Sequence, residues 1–320
     1  MEKFFKVAER GSNPAQEFRA GITTFLAMAY IIAVNPALLA AAGVPVSAAI
    51  TATCLGGGIM TILMGLFSNR PLACASGMGV NAVVAFSLTP ITGGDWHASM
   101  AVIFIEGIAI LLLVLCGLRE AIMDAIPVNL RHAISVGLGL FIAMIGLKNS
   151  GIIVANESTL VALGDIFSPT FIVGVISIVA TVVLYSARVK GSLLIGIILA
   201  VLAGIPLGVT ASPTGIVSGL DFSTFGAPFL TDSAGVMGIV KALTTPVLLV
   251  FAFSLMMSDF FDTMGSAMAI AKQGDCLTED GNVKDIKQIL IVDSAAAAAG
   301  GFFGASSITT FIESASGAAD

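Results

Sequence analysis

The apolar positions of this chain neither alternate nor recur every three or four residues. They run on in stretches of about twenty, longer than any buried strand and long enough to cross a bilayer as a helix. Short polar breaks divide them. The pattern predicts spans at 19–42, 46–67, 99–118, 129–147, 170–187, 192–209, 242–271 and 288–303, with a polar, Gly/Ser/Pro-dotted connection at 210–241 that has room for a short amphipathic helix. A charged loop, 275–287, precedes the last of these spans.

Two stretches break the pattern. Residues 72–82 (LACASGMGVNA) and 304–313 (GASSITTFIE) are too short and too rich in small residues for full spans. Each reads as a short extended piece followed by a half-helix. Irregular backbone at membrane depth is tolerated only where protein or a water-filled cavity covers it. Each also follows a long helix and then a small-residue helix, the latter ending Gly65-Leu66-Phe67 in one case and Gly301-Phe302-Phe303-Gly304 in the other. This is an internal repeat with an expected offset of 232, which sets Asn81 opposite Glu313. Seven crossings separate equivalent points, so the second copy is inverted. Inverted repeats with paired broken helices point to a secondary transporter that binds its substrate between the half-helix ends.

Composition narrows the class. The chain is 57% hydrophobic and 11% charged over 320 residues, against about 25% charged in a soluble domain. An outer-membrane barrel would alternate. The expected fold class is therefore an all-α polytopic membrane protein. The net charge of −6 says little about partners, because most acids fall in loops. Basic residues set an orientation. With the N-terminus cytoplasmic and both odd segments counted as crossings, twelve of the fourteen Lys and Arg lie inside, leaving Lys148 and Lys241 outside. Cys54, Cys74, Cys116 and Cys276 show no metal-ligand spacing. His97 beside Trp96 reads as an interfacial pair and His132 beside Arg131 as a helix-end pair. The polar start of the chain is not a signal peptide.

Acids inside the apolar layer carry the candidate chemistry. A charge at membrane depth costs at least ~2.5 kcal/mol, so an intramembrane carboxylate marks a functional site by default. Asp259 and Asp262 lie about 60° apart on one helix face. Glu313 would open the tenth half-helix, with Asn81 at the matching place in the third. Two carboxylates and an amide can accept and donate along the edge of a flat heterocycle. Phe260, Phe261 and Phe311 are near enough in sequence to stack on it. Glu106, Asp293 and the loop-edge Asp124 have structural readings beside functional ones: Glu106 packing on a neighbouring helix, Asp293 holding backbone or Ser/Thr donors. Asp262 is balanced between bonding the half-helix break and meeting substrate. No phosphate-cradling loop, Ser-His-Asp set or metal cluster is present in the sequence. An intramembrane aspartyl protease would take its two aspartates from separate helices. A channel would be expected to build a ring. A sulfate-type anion transporter would place a basic or a hydroxyl-and-dipole site where Glu313 stands.

Phe18-Arg19-Ala20-Gly21-Ile22-Thr23-Thr24-Phe25-Leu26-Ala27-Met28-Ala29-Tyr30-Ile31 with Val34-Asn35-Pro36, SGMGVNA (76–82), FFDTMG (260–265) and SSITTFIESASG (306–317) resemble the azaguanine-type purine permeases of the nucleobase–cation symporter superfamily. The resemblance covers the whole chain. It implies a seven-plus-seven inverted-repeat transporter fold with discontinuous helices 3 and 10, here truncated after about ten of fourteen segments. It further implies a cytoplasmic segment at 1–17, a first repeat at 18–209 with segments 1–4 in a core and 5–7 in a gate, an extracytoplasmic connection at 210–241, and the core start of the second repeat at 242–320. The implied activity is proton-coupled uptake of adenine, guanine or hypoxanthine across the bacterial inner membrane. The alternative is a related transporter of uracil, xanthine or a sulfate-type anion. Asp259, where the uracil and xanthine branch usually carries Glu, favours the purine branch. The resemblance matches Asp259 and Glu313 to the family's substrate-contacting acids, Asn81 to its asparagine on the third segment and Asp262 to its second acid on the eighth. With the reading of the residues, the expected substrate residues are Asn81, Asp259, Glu313, Phe260 and Thr310, and Asp262, Asp293 and Glu106 are proton-coupling or structural. The expectation is no enzyme activity and no cofactor beyond the coupling proton. Expected partners are a purine nucleobase, the proton and the lipid bilayer, not nucleic acid, with a homodimer as the candidate assembly.

Overall fold

The computed structural model describes residues 5, 7–8, 11–117, 136–137, 140, 143–144, 146–189, 192–210, 219–232, 235–274, 276–279 and 283–319. Asp124, His132 and much of the expected fifth span lie outside them. Among the described residues, six helical stretches are long and apolar enough to cross a membrane. The chain divides into two compact units.

The first unit takes residues 1–24, 31–135 and 219–320. The expected first span is two helices, α1 (Pro14–Met28) and α2 (Ile31–Ala41), separated by a turn at Ala29 and Tyr30. Next comes α3 (Val46–Ser68), which stops where Asn69 turns left-handed two residues before Pro71. Then follow β1 (Cys74–Ser76) and the half-helix α4 (Met78–Val83), which continues as a π-turn over Val84–Leu88. Asp95 caps α5 (Trp96–Leu115), accepting from the backbone of His97 and Ala98.

In the second half of this unit, α8 (Gly238–Thr244) leads into α9 (Pro246–Gln273), whose proline sits in the first turn where a missing N–H costs nothing. After α10 (Ile286–Phe303), closed by left-handed Gly304, come β4 (Ile308–Thr310) and the one-turn α11 (Ser314–Ala318). Outside the helices, Ser47 and the Ser223 backbone hydrogen-bond the exposed Asp221 carboxylate and hold it below its usual pKa.

α5 and α10 pack backbone against backbone. A Cβ on Gly107 would lie 2.2 Å from the Ala298 nitrogen, and one on Gly301 2.6 Å from the Phe104 nitrogen. Glycine here lets two backbones meet, as small residues do between membrane helices.

β1 and β4 pair antiparallel at the centre of the unit, Cys74 with Thr310, Ala75 with Thr309 and Ser76 with Ile308. Strands this short survive there because their polar groups are satisfied. Gly77 donates to the Ser307 carbonyl and Phe311 to that of Ala73. Side-chain hydroxyls satisfy further backbone groups. Thr61 of α3 serves the N–H and carbonyl of Cys74, and Ser314 accepts from the Ala73 N–H. The register revises the repeat offset. The paired centres, Ala75 and Thr309, are 234 positions apart (309 minus 75), not 232. That sets Asn81 against Ala315 rather than Glu313. The helices that follow are offset further still, because α4 starts two residues after β1 ends and α11 four after β4 ends.

The second unit, residues 25–30 and 136–218, contains β2 (Ile153–Asn156), β3 (Leu160–Leu163), α6 (Pro169–Ser186) and α7 (Ser192–Gly204). α7 ends at Gly204, short of the expected 209. A Cβ on its Gly196 would fall 2.0 Å from the Thr181 hydroxyl of α6, so these two helices also touch through glycine. The hairpin of β2 and β3 fills the stretch between the expected spans at 129–147 and 170–187. Its turn is made by Asn156, whose side chain accepts from the Ser158 and Thr159 backbones.

Candidate functional site

Many of the buried polar side chains of the first unit gather around the strand crossing. Asp293 of α10 is the hub. Its carboxylate accepts from the Thr263 hydroxyl at 2.6 Å, the Thr309 hydroxyl at 3.2 Å, and both the backbone N–H and the hydroxyl of Thr310 at 2.8 Å. It therefore ties α9 and β4 to α10. Thr263 is the link: its oxygen also lies 3.0 Å from the Asp259 carbonyl one turn earlier on α9 and 3.1 Å from the Thr309 hydroxyl.

The two acids of α9 part company. Asp259 is buried, 1% exposed, at the middle of the helix. Asp262 lies on an exposed stripe with Gly265 and Met268. The shared face read from their spacing is real as an angle but spans the edge between buried and open surface. Glu106, near the middle of α5, is wholly buried with both carboxyl oxygens lacking a hydrogen-bond partner among the described residues. It lies within Coulombic range of Asp259 and Asp293, and Asp262 within range of Asp293 and Glu313. Five acids thus meet through Asp293, while the described spans that hold them carry basic residues only near their ends.

Glu313 stands half-buried at the head of α11 and makes no side-chain cap bond to it. With five residues, that helix sums few peptide dipoles, so what Glu313 offers is its own charge rather than a strong helix end. Thr310 has its hydroxyl proton committed to Asp293. Phe260 is fully buried in an apolar cluster with Ile110, Val114, Met256 and Leu290, and Phe261 meets it edge-on at 6.2 Å. Asn81 lies across the crossing, completely buried, and donates to the Asn35 carbonyl oxygen at 2.6 Å.

Asn35 and Thr263 are the polar residues that sequence reasoning passed over. Asn35 stood inside an apolar span before a proline. Its signal was its polarity at membrane depth, the same signal that singled out the acids.

The model of the Permease family, the xanthine/uracil permease superfamily, matches residues 15–319. The chain belongs to that family. This permease is 39% identical to a putative permease of Methanocaldococcus jannaschii, across all of its own length and 71% of that protein. It is 36% identical to the adenine permease AdeP of Escherichia coli, across 99% of its length and 69% of the relative. With the guanine/hypoxanthine permease PbuG of Bacillus subtilis it shares 36% identity, across 100% and 73%. Among solved structures, the transmembrane domain of a cyanobacterium bicarbonate transporter, BicA, matches with a TM-score of 0.63 at 14% identity, over 95% of this chain and 76% of that one. The last likeness shows the fold alone. Membership in the permease family bears out the expected family, and the six spans fit the expected helical, multi-pass membrane class.

Proposed function

We propose that this permease carries purine nucleobases across the inner membrane together with protons, by alternating access within an inverted-repeat fold. The observation that carries the reading is Asp259: a buried carboxyl at the middle of a membrane helix, one turn from the threonine that joins α9 to the strand crossing. Relatives named for adenine and for guanine/hypoxanthine support the substrate class. The acids and the amide at the crossing suit the N–H edges of such a base. An anionic substrate would want a fixed cation, and the described basic residues stay near the ends of the spans.

Proton coupling follows from charge. Acids linked by charge through Asp293, in spans whose described basic residues stay near the ends, are relieved most simply by a proton. Loading Asp259 or Glu313 from outside neutralises the site and lets base and proton cross together. The membrane potential then contributes ~2.3 kcal/mol per charge per 100 mV, enough to accumulate substrate. In this reading segments 1–4 and 8–10 form the core that moves, and segments 5–7 belong to the gate.

The test is uptake of labelled hypoxanthine by cells expressing the protein, with unlabelled bases as competitors and with or without a protonophore. Wild-type uptake is expected to collapse with protonophore and to be competed by purines. Asp259→Asn is expected to lose gradient-driven uptake by at least tenfold. Unchanged proton-driven uptake in that variant refutes the role given to Asp259.

A further inference from the structure

The two buried asparagines form a chain whose orientation has only one solution. Asn35 of α2 places its Nδ2 at 3.2 Å from the Ala305 carbonyl and 2.8 Å from the Thr53 hydroxyl. A carbonyl can only accept, so the atom facing Ala305 is the amide nitrogen of Asn35. The Thr53 hydroxyl agrees, because it already donates to the Ala49 carbonyl at 2.6 Å and has lone pairs left to receive Asn35. Asn35 must therefore turn its Oδ1 towards α4. An oxygen there requires a donor opposite it, and Asn81 supplies Nδ2 at 2.6 Å. This fixes the second amide as well. Its Oδ1 remains, buried and without a hydrogen-bond partner among the described residues. Both asparagines are 0% exposed, and Thr53 is 3% exposed.

A buried carbonyl oxygen left unmatched is costly, and a chain of three side chains that enforces the mismatch needs a reason. We propose that Asn35 is a positioning residue for the substrate site: it locks the Asn81 amide so that the carbonyl oxygen, never the NH2 group, meets the ligand. This rests on the reading of the crossing as a purine site and deepens it. Asn81 then acts only as an acceptor and takes an N–H of the base, ring or exocyclic. The chain runs from Ala305, just before β4, to α4, just after β1. The amide is thus set by the same two broken elements that build the crossing.

The experiment is a double-mutant cycle on apparent substrate affinity, read as KM for hypoxanthine uptake in proteoliposomes made with the whole chain. Thermal unfolding of each variant is followed in parallel. Asn81→Ala is expected to raise KM about tenfold, the loss of one well-placed hydrogen bond. Asn35→Ala, which frees the Asn81 amide to turn, is expected to raise it by a similar factor. Because Asn35 acts through Asn81, the double variant is expected within about twofold of Asn81→Ala alone. Losses that multiply in the double variant mean that Asn35 serves only to join α2, α3 and the segment before β4, and they overturn the proposal. Asn35→Asp guards against misfolding of the alanine variant. It keeps an acceptor facing Asn81, so affinity is expected within about threefold of wild type. A KM raised as far as by alanine, in a variant that melts like the wild type, also overturns the proposal. If Asn81→Ala itself leaves KM unchanged, the assignment of Asn81 to the substrate site falls, and this inference with it. If Asn81→Ala is impaired and Asn35→Ala is not, only this inference falls.

Discussion

A carboxyl group with four hydrogen bonds and one with none among the described residues lie within Coulombic range of each other. Asp293 is surrounded by threonine hydroxyls and a backbone N–H, which fill its acceptor sites. Glu106 has no such donors among the described residues and lies between two apolar clusters on α5, Met100 and Ile103 on one side and Ile110 and Val114 on the other. Both clusters also draw on α9, through Leu255 and Met256, which places Glu106 level with the turn before Asp259. An acid so placed burdens the fold. Replacing an unpartnered buried polar group with an apolar one of similar shape is expected to stabilise by about 1–3 kcal/mol. Glu106→Met should therefore raise the temperature of half-inactivation in a detergent thermal-shift assay while lowering gradient-driven uptake. A lower melting temperature would show that Glu106 contributes to the structure. The sequence revealed that this acid is intramembrane. It could not reveal that Asp293 is satisfied and Glu106 is not, because the donors come from residues up to thirty positions away (Thr263 to Asp293).

At the scale of elements, the broken segments were the most legible part of the chain. Small residues, no room for a full span and a flanking proline leave little but an extended piece and a half-helix. Their pairing was less legible. The repeat came out two residues short of the strand register, and the helices that follow do not account for it, since they start 236 positions apart (314 minus 78). The hairpin of β2 and β3 escaped because its strands are four residues long and apolar on both faces, leaving no alternation to read. The contact between α5 and α10 was visible only as abundant glycine, and the structure says which glycines matter. Gly107 has no room for a methyl group, the obstacle being the backbone of Ala297 and Ala298, which cannot swing aside like a side chain. Gly58 on α3 has open space where its Cβ would go. Gly107→Val is expected to abolish a monodisperse peak in fluorescence-detected size-exclusion chromatography, an overpacking cost of at least about 3 kcal/mol. Gly58→Val is the control and should keep the peak. Equal behaviour of the two would mean that the helices do not pack through Gly107.

For the whole molecule, the ends of α3 give a ruler. Its 23 residues span about 34 Å, the thickness of a hydrocarbon core with little to spare. Near its start, Ser47 bonds Asp221, and Gly43 just before it lies beside Trp96 at the head of α5. The same end holds the Lys241 ammonium, paired with Asp95 at 3.0 Å and Asp232 at 3.6 Å. Past its other end, Arg70 pairs with Asp285 in the loop before α10. The two ion-pair clusters therefore lie a membrane apart, and the placement of charges decides which faces the cytoplasm. Arg70 keeps company with Lys272, Lys284 and Lys287, whereas Lys241 stands nearly alone, so the Arg70 end should be inside. Single cysteines in a cysteine-free background test this. Ser223→Cys, near the Lys241 end, is expected to react with a membrane-impermeant maleimide in intact cells. Glu279→Cys, in the loop beside Arg70, is expected to react only in inverted vesicles. The reverse result would turn the permease over in the membrane and move proton loading to the opposite face of the crossing. Labelling of both from one side would mean that α3 does not span the bilayer at all.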